Sequence, residues 1–262
     1  MQPADDERAP TQRFSDRVDY YVKYRPHYPA AILPFLEDAI GLAPGWHVAD
    51  VGSGTGILSR RFLDYGCTVY GVEPNGAMRR AAERWLAAYD RFHSVAATAE
   101  ATTLPANSVE LVTAGQAFHW FDRPAARAEF RRILRPKGAV ALVYNEWGAP
   151  DDPFVQAYDA LFTEHGTDYE AVNKGRATKE ELLHEFFGPA GYGEATFSNP
   201  QWLDWEALRG RVLSSSYAPL PGHPNYEGLS VALRRLFAAF AVDGRVRFPY
   251  QTIVYWGRPG RT

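Results

Sequence analysis

An α/β fold with a doubly wound parallel sheet is predicted by three features of this chain. Short apolar runs alternate with amphipathic segments over residues 46–145, the links between them are brief, and a glycine-rich turn follows the first run. In such sheets a ligand sits beyond the carboxyl ends of the strands, near the point where strand order reverses. The turn "GSGTG" at 52–56 occupies that place after the opening strand.

The elements follow in order. "WHVADV" (46–51) is a short buried strand, and "GILSRRFLDYG" (56–66) a helix with Leu58 and Phe62 on one face and Gly66 as its stop. "CTVYGVE" (67–73) is the second strand, followed by the helix "NGAMRRAAERWLAAY" (75–89) with Asn75 at its N-cap. "RFHSVAA" (91–97) and "VELVTAG" (109–115) are the third and fourth strands. A helix over "RPAARAEFRRILRPKG" (123–138) is closed by Pro136 and Gly138. "AVALVYN" (139–145) is almost continuously apolar, as a strand buried on both faces requires.

Past about residue 147 the alternation stops. Helical patterns cover 151–165, 179–187 and 225–241, with strands at 194–205 and 245–257 and a proline-rich link at 217–224. Residues 1–12 are polar and acidic with no apolar run to bury and read as a disordered tail. The expected organisation is one domain over 13–262, in which 147–245 supply a helical cap and closing strands without a second core.

Composition narrows the function classes. The 262 residues are 46% hydrophobic and 23% charged, a globular balance, and the net charge of -3 provides no general field for nucleic acid or an anionic membrane. The sole cysteine, Cys67, excludes an intrachain disulfide, and the seven histidines show no metal-ligand spacing, so no metal is expected. "MQPADDERAPTQ" has no apolar segment of the secretory kind, and no run approaches the ~18 apolar residues of a membrane span. A soluble cytoplasmic protein, monomeric or homodimeric, with neither membrane nor nucleic-acid partner, is the expectation. The basic run Arg127, Arg131, Arg132, Arg135 and Lys137 reads as the solvated face of a crossover helix.

Three ligands compete for the glycine turn. A phosphate-binding loop needs a lysine after its glycines, and none follows here. A dinucleotide turn needs a small residue where this chain has Ile57. Asp50, two residues ahead of Gly52, would repel a pyrophosphate but suits an ammonium group. S-adenosylmethionine carries such a group beside a sulfonium, a ribose and an adenine. Glu73 ends the second strand about 20 residues past Gly52, the spacing at which an acid accepts ribose hydroxyls.

With "VADVGSGTG", "DYYVKYRPHYP", "TAEATTLPANSVELVTAGQAFHWFD" and "LRPKGAVALVY" in place, the chain resembles a class I S-adenosylmethionine-dependent methyltransferase. It is similar to the group that includes trans-aconitate methyltransferase-like proteins, over about residues 14–257. The resemblance implies a Rossmann-like seven-stranded sheet whose last strand, "QTIVYWG", is antiparallel. It also implies that Gly52, Ser53 and Gly54 flank the methionine portion, Asp50 fixes its ammonium, and Glu73 takes the ribose. Pro74 and Asn75 would border the adenine, and Thr98, Ala99 and Glu100 would end the third strand at the adenine edge. Many relatives have Asp where Thr98 stands. Gly115 and Gln116 would lie beneath the sulfonium, and Tyr24 and Arg25 near the cofactor carboxylate. The product would be S-adenosylhomocysteine.

Methyl transfer from a sulfonium needs alignment and exclusion of water more than activation. His119 in "GQAFHWFD" is the candidate base for an acceptor that loses a proton; the alternative is a histidine bonded to backbone while Phe118 and Trp120 pack. Tyr20, Tyr24 and Trp120 are candidates for cation–π contact with the sulfonium, or else core. Arg211, Ser214, Ser216 and Tyr217 are candidates to bind a polar acceptor group, against the alternative of a solvated helix end. The expected activity is methylation of a small molecule, with O-methylation of a carboxylate or hydroxyl favoured over N- or C-methylation. A nicotinamide-dependent oxidoreductase and a non-catalytic cofactor-binding module are the alternatives.

Overall fold

The computed structural model describes residues 24–169 and 179–260. They divide into two compact units. A sheet unit takes residues 27–145, 179–197 and 252–260; a helical unit takes 24–26, 146–169 and 198–251.

The sheet unit opens with a helix the periodicity argument passed over, α1 (Ile32–Ile40). Ala31 at its N-cap offers no side-chain bond, so the usual start signal is missing; Gly41 closes it in the left-handed conformation, φ 77°. Then come β1 (His47–Val51), α2 (Ile57–Tyr65), β2 (Thr68–Val72), α3 (Gly76–Trp85), β3 (Phe92–Val95) and β4 (Val109–Gly115). After α4 (Arg123–Ile133) and β5 (Leu134–Glu146), the unit is completed by α6 (Lys179–Phe187), β6 (Gly193–Ser198) and β9 (Gln251–Gly257). The seven strands lie in the order β3-β2-β1-β4-β5-β9-β6. The neighbours from β3 to β5 are parallel, and the last strand runs antiparallel, as expected. Strand order reverses between β1 and β4, which places Asp50 opposite Gly71 on one side and Thr113 on the other.

Three boundaries differ from expectation. The helix expected to reach 138 ends at Ile133, and Leu134 already pairs with Val109. Pro136 disfavours helical backbone at Arg135, Lys137 adopts a φ of 75°, and the register shifts between Val109 and Leu111. The single strand expected at 194–205 is two, β6 and β7 (Gln201–Leu203), separated at Asn199–Pro200. The one expected at 245–257 is also two, β8 (Val246–Phe248) and β9, separated at Pro249–Tyr250. At both breaks a proline interrupts the ladder, and β7 and β8 pair with each other in a separate two-stranded sheet.

The helical unit holds α5 (Pro153–His165), α7 (Trp205–Leu213) and α8 (Tyr226–Phe240), beside β7 and β8. Asp152 and Asp204 cap α5 and α7 through their carboxylates. Phe154, Tyr158, Phe162, Leu208, Val212, Leu233 and Phe248 form an apolar cluster of this unit's own. The expectation that this part of the chain lacks a core is thereby corrected: aromatic side chains on α5 meet the β7–β8 ribbon and bury one another. Among the described residues no helix is long and apolar enough to cross a membrane.

Candidate functional site

The carboxylate of Asp50 is the centre of the sheet unit's glycine-loop region. Its residue is 1% exposed. Ser59, on the first turn of α2, donates its hydroxyl to Oδ2 at 2.6 Å, while Oδ1 is buried without a hydrogen-bond partner. Burial pushes the Asp50 carboxyl up to about 7, against the opposing pull of the Ser59 hydroxyl and amide, with the nearby Glu73 charge adding a smaller push. Thr55 Oγ1, in the loop itself, is also buried and unpartnered. Buried oxygens are rarely left so, and an acceptor in this state suits a cationic donor.

The loop amides argue against a phosphate. Gly52 N and Ser53 N both donate to Val72 O, Gly54 N to Glu73 Oε2, and Gly56 N to Ser53 O. An anion-binding nest presents free N–H groups, and these four are spent on the fold. Gly52 has a φ of 68°, and a Cβ there would stand 2.5 Å from the Cβ of Ala117. Gly54 has a φ of 56°, but a Cβ there would meet nothing within 4 Å. One glycine therefore lets two backbones approach, and the other borders open space.

Glu73 is 8% exposed and immediately follows β2. Its Oε1 accepts from Asn75 N and its Oε2 from Gly54 N, both at 2.8 Å, which joins the glycine loop to the start of α3. Each oxygen keeps a further lone-pair site. Burial raises the carboxyl above its ordinary range, opposed by those two amides and by Arg79. Asn75 is the expected N-cap, accepting from Ala77 N and Met78 N; Pro74 beside it is exposed.

Thr98, Ala99 and Glu100 do not end the third strand, which stops at Val95. They lie in the following loop, where Thr98 forms an isolated bridge with Ala101 and Glu100 Oε1 accepts from Asp122 N at 3.0 Å. Gly115 ends β4, and a Cβ there would collide with Tyr28 Oη at 2.6 Å. Gln116 turns the chain with a φ of 55° and donates from Nε2 to Asn145 O at 2.5 Å. His119 sits in the short helical turn Phe118–Trp120, its ring 4.9 Å from that of Trp120. Phe118 anchors that turn edge-on against Phe186.

Tyr24 and Arg25 belong to the helical unit. The ring of Tyr24 lies against the Cα of Gly210, and Arg25 Nη2 donates to Ser214 O at 2.9 Å. Arg211 and Ser214 are not a solvated helix end: they are 4% and 0% exposed. Ser216 and Tyr217 are half-buried, and Tyr20 lies outside the described residues. The basic run is only partly on the crossover helix: Arg127, Arg131 and Arg132 lie on α4, with Arg132 on Glu129 and Arg127 on Glu185 O, while Arg135, on Glu110, and Lys137 fall on β5.

Sequence reasoning missed Ser59, Tyr28 and Asn145. Ser59 carries a faint signal, a polar residue inside an apolar helix face; the other two become visible only when distant strands meet.

Residues 49–142 match the model of the methyltransferase domain family. An uncharacterized methyltransferase of Mycobacterium tuberculosis is 36% identical over 132 residues, which are 50% of this chain and 51% of that one. An uncharacterized methyltransferase of Schizosaccharomyces pombe is 30% identical over 139 residues, 50% and 52% of the two chains. The chain thus spans about half the length of the curated relatives it matches. Among solved structures, the YcgJ protein of Bacillus subtilis superposes with a TM-score of 0.53 at 18% identity, covering 89% of this chain and 100% of that one. A phosphoethanolamine N-methyltransferase of Haemonchus contortus, solved with S-adenosylhomocysteine, gives 0.52 at 16%, covering 96% and 58%. At these identities the likeness speaks for the fold. The matched domain and the seven-stranded sheet together make residues 49–142 similar in sequence to the methyltransferase domain family and alike in fold to the solved methyltransferase.

Proposed function

We infer that the whole chain methylates a small molecule with S-adenosylmethionine, that O-methylation of a carboxylate or hydroxyl is the favoured chemistry, and that the trans-aconitate methyltransferase-like group is its subgroup. The single observation that carries the cofactor's placement is the buried, unpartnered Oδ1 of Asp50, set beside a loop whose amides are already spent. Such a site welcomes an ammonium and repels a phosphate.

Bound, the cofactor supplies a methyl group on a positively charged sulfur. This chain's part is to bind, orient and exclude water. Asp50 would take the ammonium, and Glu73, with a lone-pair site left on each oxygen, the ribose hydroxyls. Gly52, Ser53 and Gly54 would flank the amino-acid portion. Pro74, Asn75, Thr98, Ala99 and Glu100 would border the adenine; Gly115 and Gln116 would stand at the tip of β4. The resemblance extends cofactor binding to Tyr24 and Arg25. His119 is the proposed base where the acceptor is a hydroxyl or amine, and a carboxylate acceptor needs none.

Calorimetric titration with S-adenosylhomocysteine, NADH and NADPH tests this. Binding of the first alone, weakened tenfold or more in Asp50→Ala, is the expected result, together with mass-detected methyl transfer across an acceptor panel. Preferential binding of a nicotinamide cofactor overturns the proposal. His119→Ala is expected to lower turnover on hydroxyl acceptors without changing affinity for S-adenosylhomocysteine.

A further inference from the structure

The three exposed large hydrophobic side chains among the described residues all belong to the helical unit: Trp202 at 56%, Val242 at 65% and Val231 at 49%. Two of them share one face. β7 and β8 pair antiparallel, with Trp202 opposite Arg247 and Leu203 opposite Val246. Val242 bridges Arg245 across the turn Asp243–Gly244, whose two residues have φ of 51° and 73°. Paired residues point to one side of a ladder, and so do alternate residues along a strand. Val242, Arg245, Arg247 and Trp202 therefore stand on the outer side of the ribbon, all exposed, while the alternate residues Val246 and Phe248 are buried in the unit's core.

The outer face is unsatisfied within the chain. Among the described residues the Trp202 ring meets no other ring or guanidinium, and the side chains of Asp243, Arg245 and Arg247 make no hydrogen bond or ion pair. Asp204, next in the register after Leu203, stands across from Arg245 and is exposed; its Oδ1 caps α7, and Oδ2 remains for another donor. A polyanion or an anionic bilayer asks for basic residues without interleaved acids, and here Asp204 and Asp243 offset Arg245 and Arg247.

Both signs side by side suit a surface that carries the same pattern in reverse, and a twofold axis at the level of Asp204 and Arg245 supplies one. Residues two positions to either side then exchange places. Arg247 of one copy meets Asp243 of the second, and the Trp202 ring, level with Arg247, meets the Val242–Asp243 corner. At the axis the Arg245 guanidinium of each copy faces the Asp204 carboxylate of the other. Every charged member gains an opposite charge, and both apolar side chains leave water.

We propose that this face of the β7–β8 ribbon is the isologous interface of a homodimer, with Trp202 as its anchor. Tryptophan and arginine are the side chains that most often carry binding energy at such contacts. The contact involves the helical unit alone and holds whichever ligand the glycine loop takes. The face is small, at the low end of specific interfaces, so the dimer forms in the micromolar range and dissociates on dilution.

Sedimentation velocity of the full chain from low to high micromolar concentration tests this. The wild type is expected to pass reversibly from monomer to dimer, and to do so less readily at high salt, which screens exposed charge pairs. Trp202→Glu is expected to stay monomeric throughout. Arg247→Glu and Asp243→Lys, each alone, oppose like charges at two symmetric places and are expected to weaken the dimer at least tenfold. Lysine accepts the left-handed backbone of that turn, as Lys137 does at a φ of 75°. Mixed in equal amounts, these two variants are expected to form a heterodimer, because both contacts then join opposite charges. All three variants are expected to melt close to the wild type, as surface changes should. A wild type that stays monomeric at the highest concentration overturns the proposal, and binding of that monomer to phosphatidylserine vesicles would assign the face to a membrane instead. A dimer untouched by Trp202→Glu overturns it as well, and so does a mixture of Arg247→Glu and Asp243→Lys that stays monomeric.

Discussion

Ser59 gives its hydroxyl to Oδ2 of Asp50 at 2.6 Å, and the other oxygen of that carboxylate is buried with no hydrogen-bond partner among the described residues. The bond ties the first turn of α2 to the end of β1, so the loop between them is held from both sides. It also fixes which oxygen remains for a ligand. A carboxylate arranged in this way is ready for a cation and costly without one.

That cost is measurable. The Asp50 carboxyl is raised from 3.8 to about 7, so the native state holds a proton that the unfolded chain releases. A group with a raised native pKa removes stability as pH climbs from its unfolded to its native value. The ligand-free protein is therefore expected to lose stability between pH 4 and 7, by at most about 4 kcal/mol from this group. Asp50→Asn should flatten that part of the profile, read as urea midpoints at pH 5 and pH 8. Affinity for S-adenosylhomocysteine should change in the opposite sense, rising with pH up to about 7 in the wild type. The variant should bind at least tenfold more weakly and show no such slope. Parallel slopes in the two proteins would remove Asp50 from the site.

Gly52 and Gly54 separate packing from binding. Alanine at 52 places a methyl 2.5 Å from Ala117 Cβ at a φ of 68°, and overpacking with left-handed backbone is expected to cost about 3 kcal/mol. Alanine at 54 meets nothing within 4 Å and pays only for its φ of 56°, about 1 kcal/mol. Its methyl group, however, enters the open space assigned to the cofactor. Gly54→Ala should thus melt close to the wild type and bind S-adenosylhomocysteine at least tenfold more weakly. Unchanged affinity would place the ligand elsewhere.

Glu73 answers to two amides, Gly54 N and Asn75 N. Glu73→Gln leaves one oxygen for two donors, and the stranded buried N–H is expected to cost about 2 kcal/mol. The same change removes an acceptor proposed for the ribose. Calorimetry should show a larger loss for S-adenosylhomocysteine than for homocysteine alone, which lacks the ribose. Equal losses would assign Glu73 to the loop's shape only.

What the sequence disclosed, and what it hid, follows from range. The glycine turn and the Asn75 cap were legible because a positive φ and a helix start are set by the residues beside them, where spacing alone encodes geometry, whereas Asp50 and Glu73 find Ser59 and Gly54 only 9 and 19 residues away along the chain. The parallel sheet followed from the alternation, and its seven strands with an antiparallel last one from the resemblance; the strand order came only with the structure. Helix α1 was missed because Ala31 gives it no capping oxygen. The β6–β7 and β8–β9 breaks were smoothed into single strands because apolar alternation continues through Pro200 and Pro249. Arg211 illustrates the limit best: a basic residue near a helix end reads as solvated until the fold sets the Tyr250 phenol against it. Likewise, only packing reveals that Gly115 makes room for Tyr28.

Glu129 offers a control outside the glycine loop. Its Oε1 accepts from the amide and hydroxyl of Thr102, and Arg132 grips the carboxylate through Nε and Nη2. The Arg132 bonds first, then those of Thr102, hold the carboxyl down to about 2 despite partial burial. The same arginine reaches Leu104 O at 2.7 Å, so α4 clasps the segment that follows Thr98–Glu100. A depressed native pKa contributes stability above the unfolded value and loses it as pH falls through the native one. Glu129 should therefore support the fold at neutral pH and fail progressively from about pH 4.5 to about pH 2. Arg132 is 43% exposed, so solvent screening reduces the contribution to about 2 kcal/mol. Glu129→Gln is expected to melt several degrees lower at pH 7 and to approach the wild type near pH 2.5. Because the clasp restrains the loop assigned to the adenine, affinity for S-adenosylhomocysteine should fall only a few-fold, in contrast to the tenfold losses at Asp50 and Gly54. A loss as large as theirs would mean that the adenine loop, rather than the glycine turn, supplies most of the cofactor's binding energy.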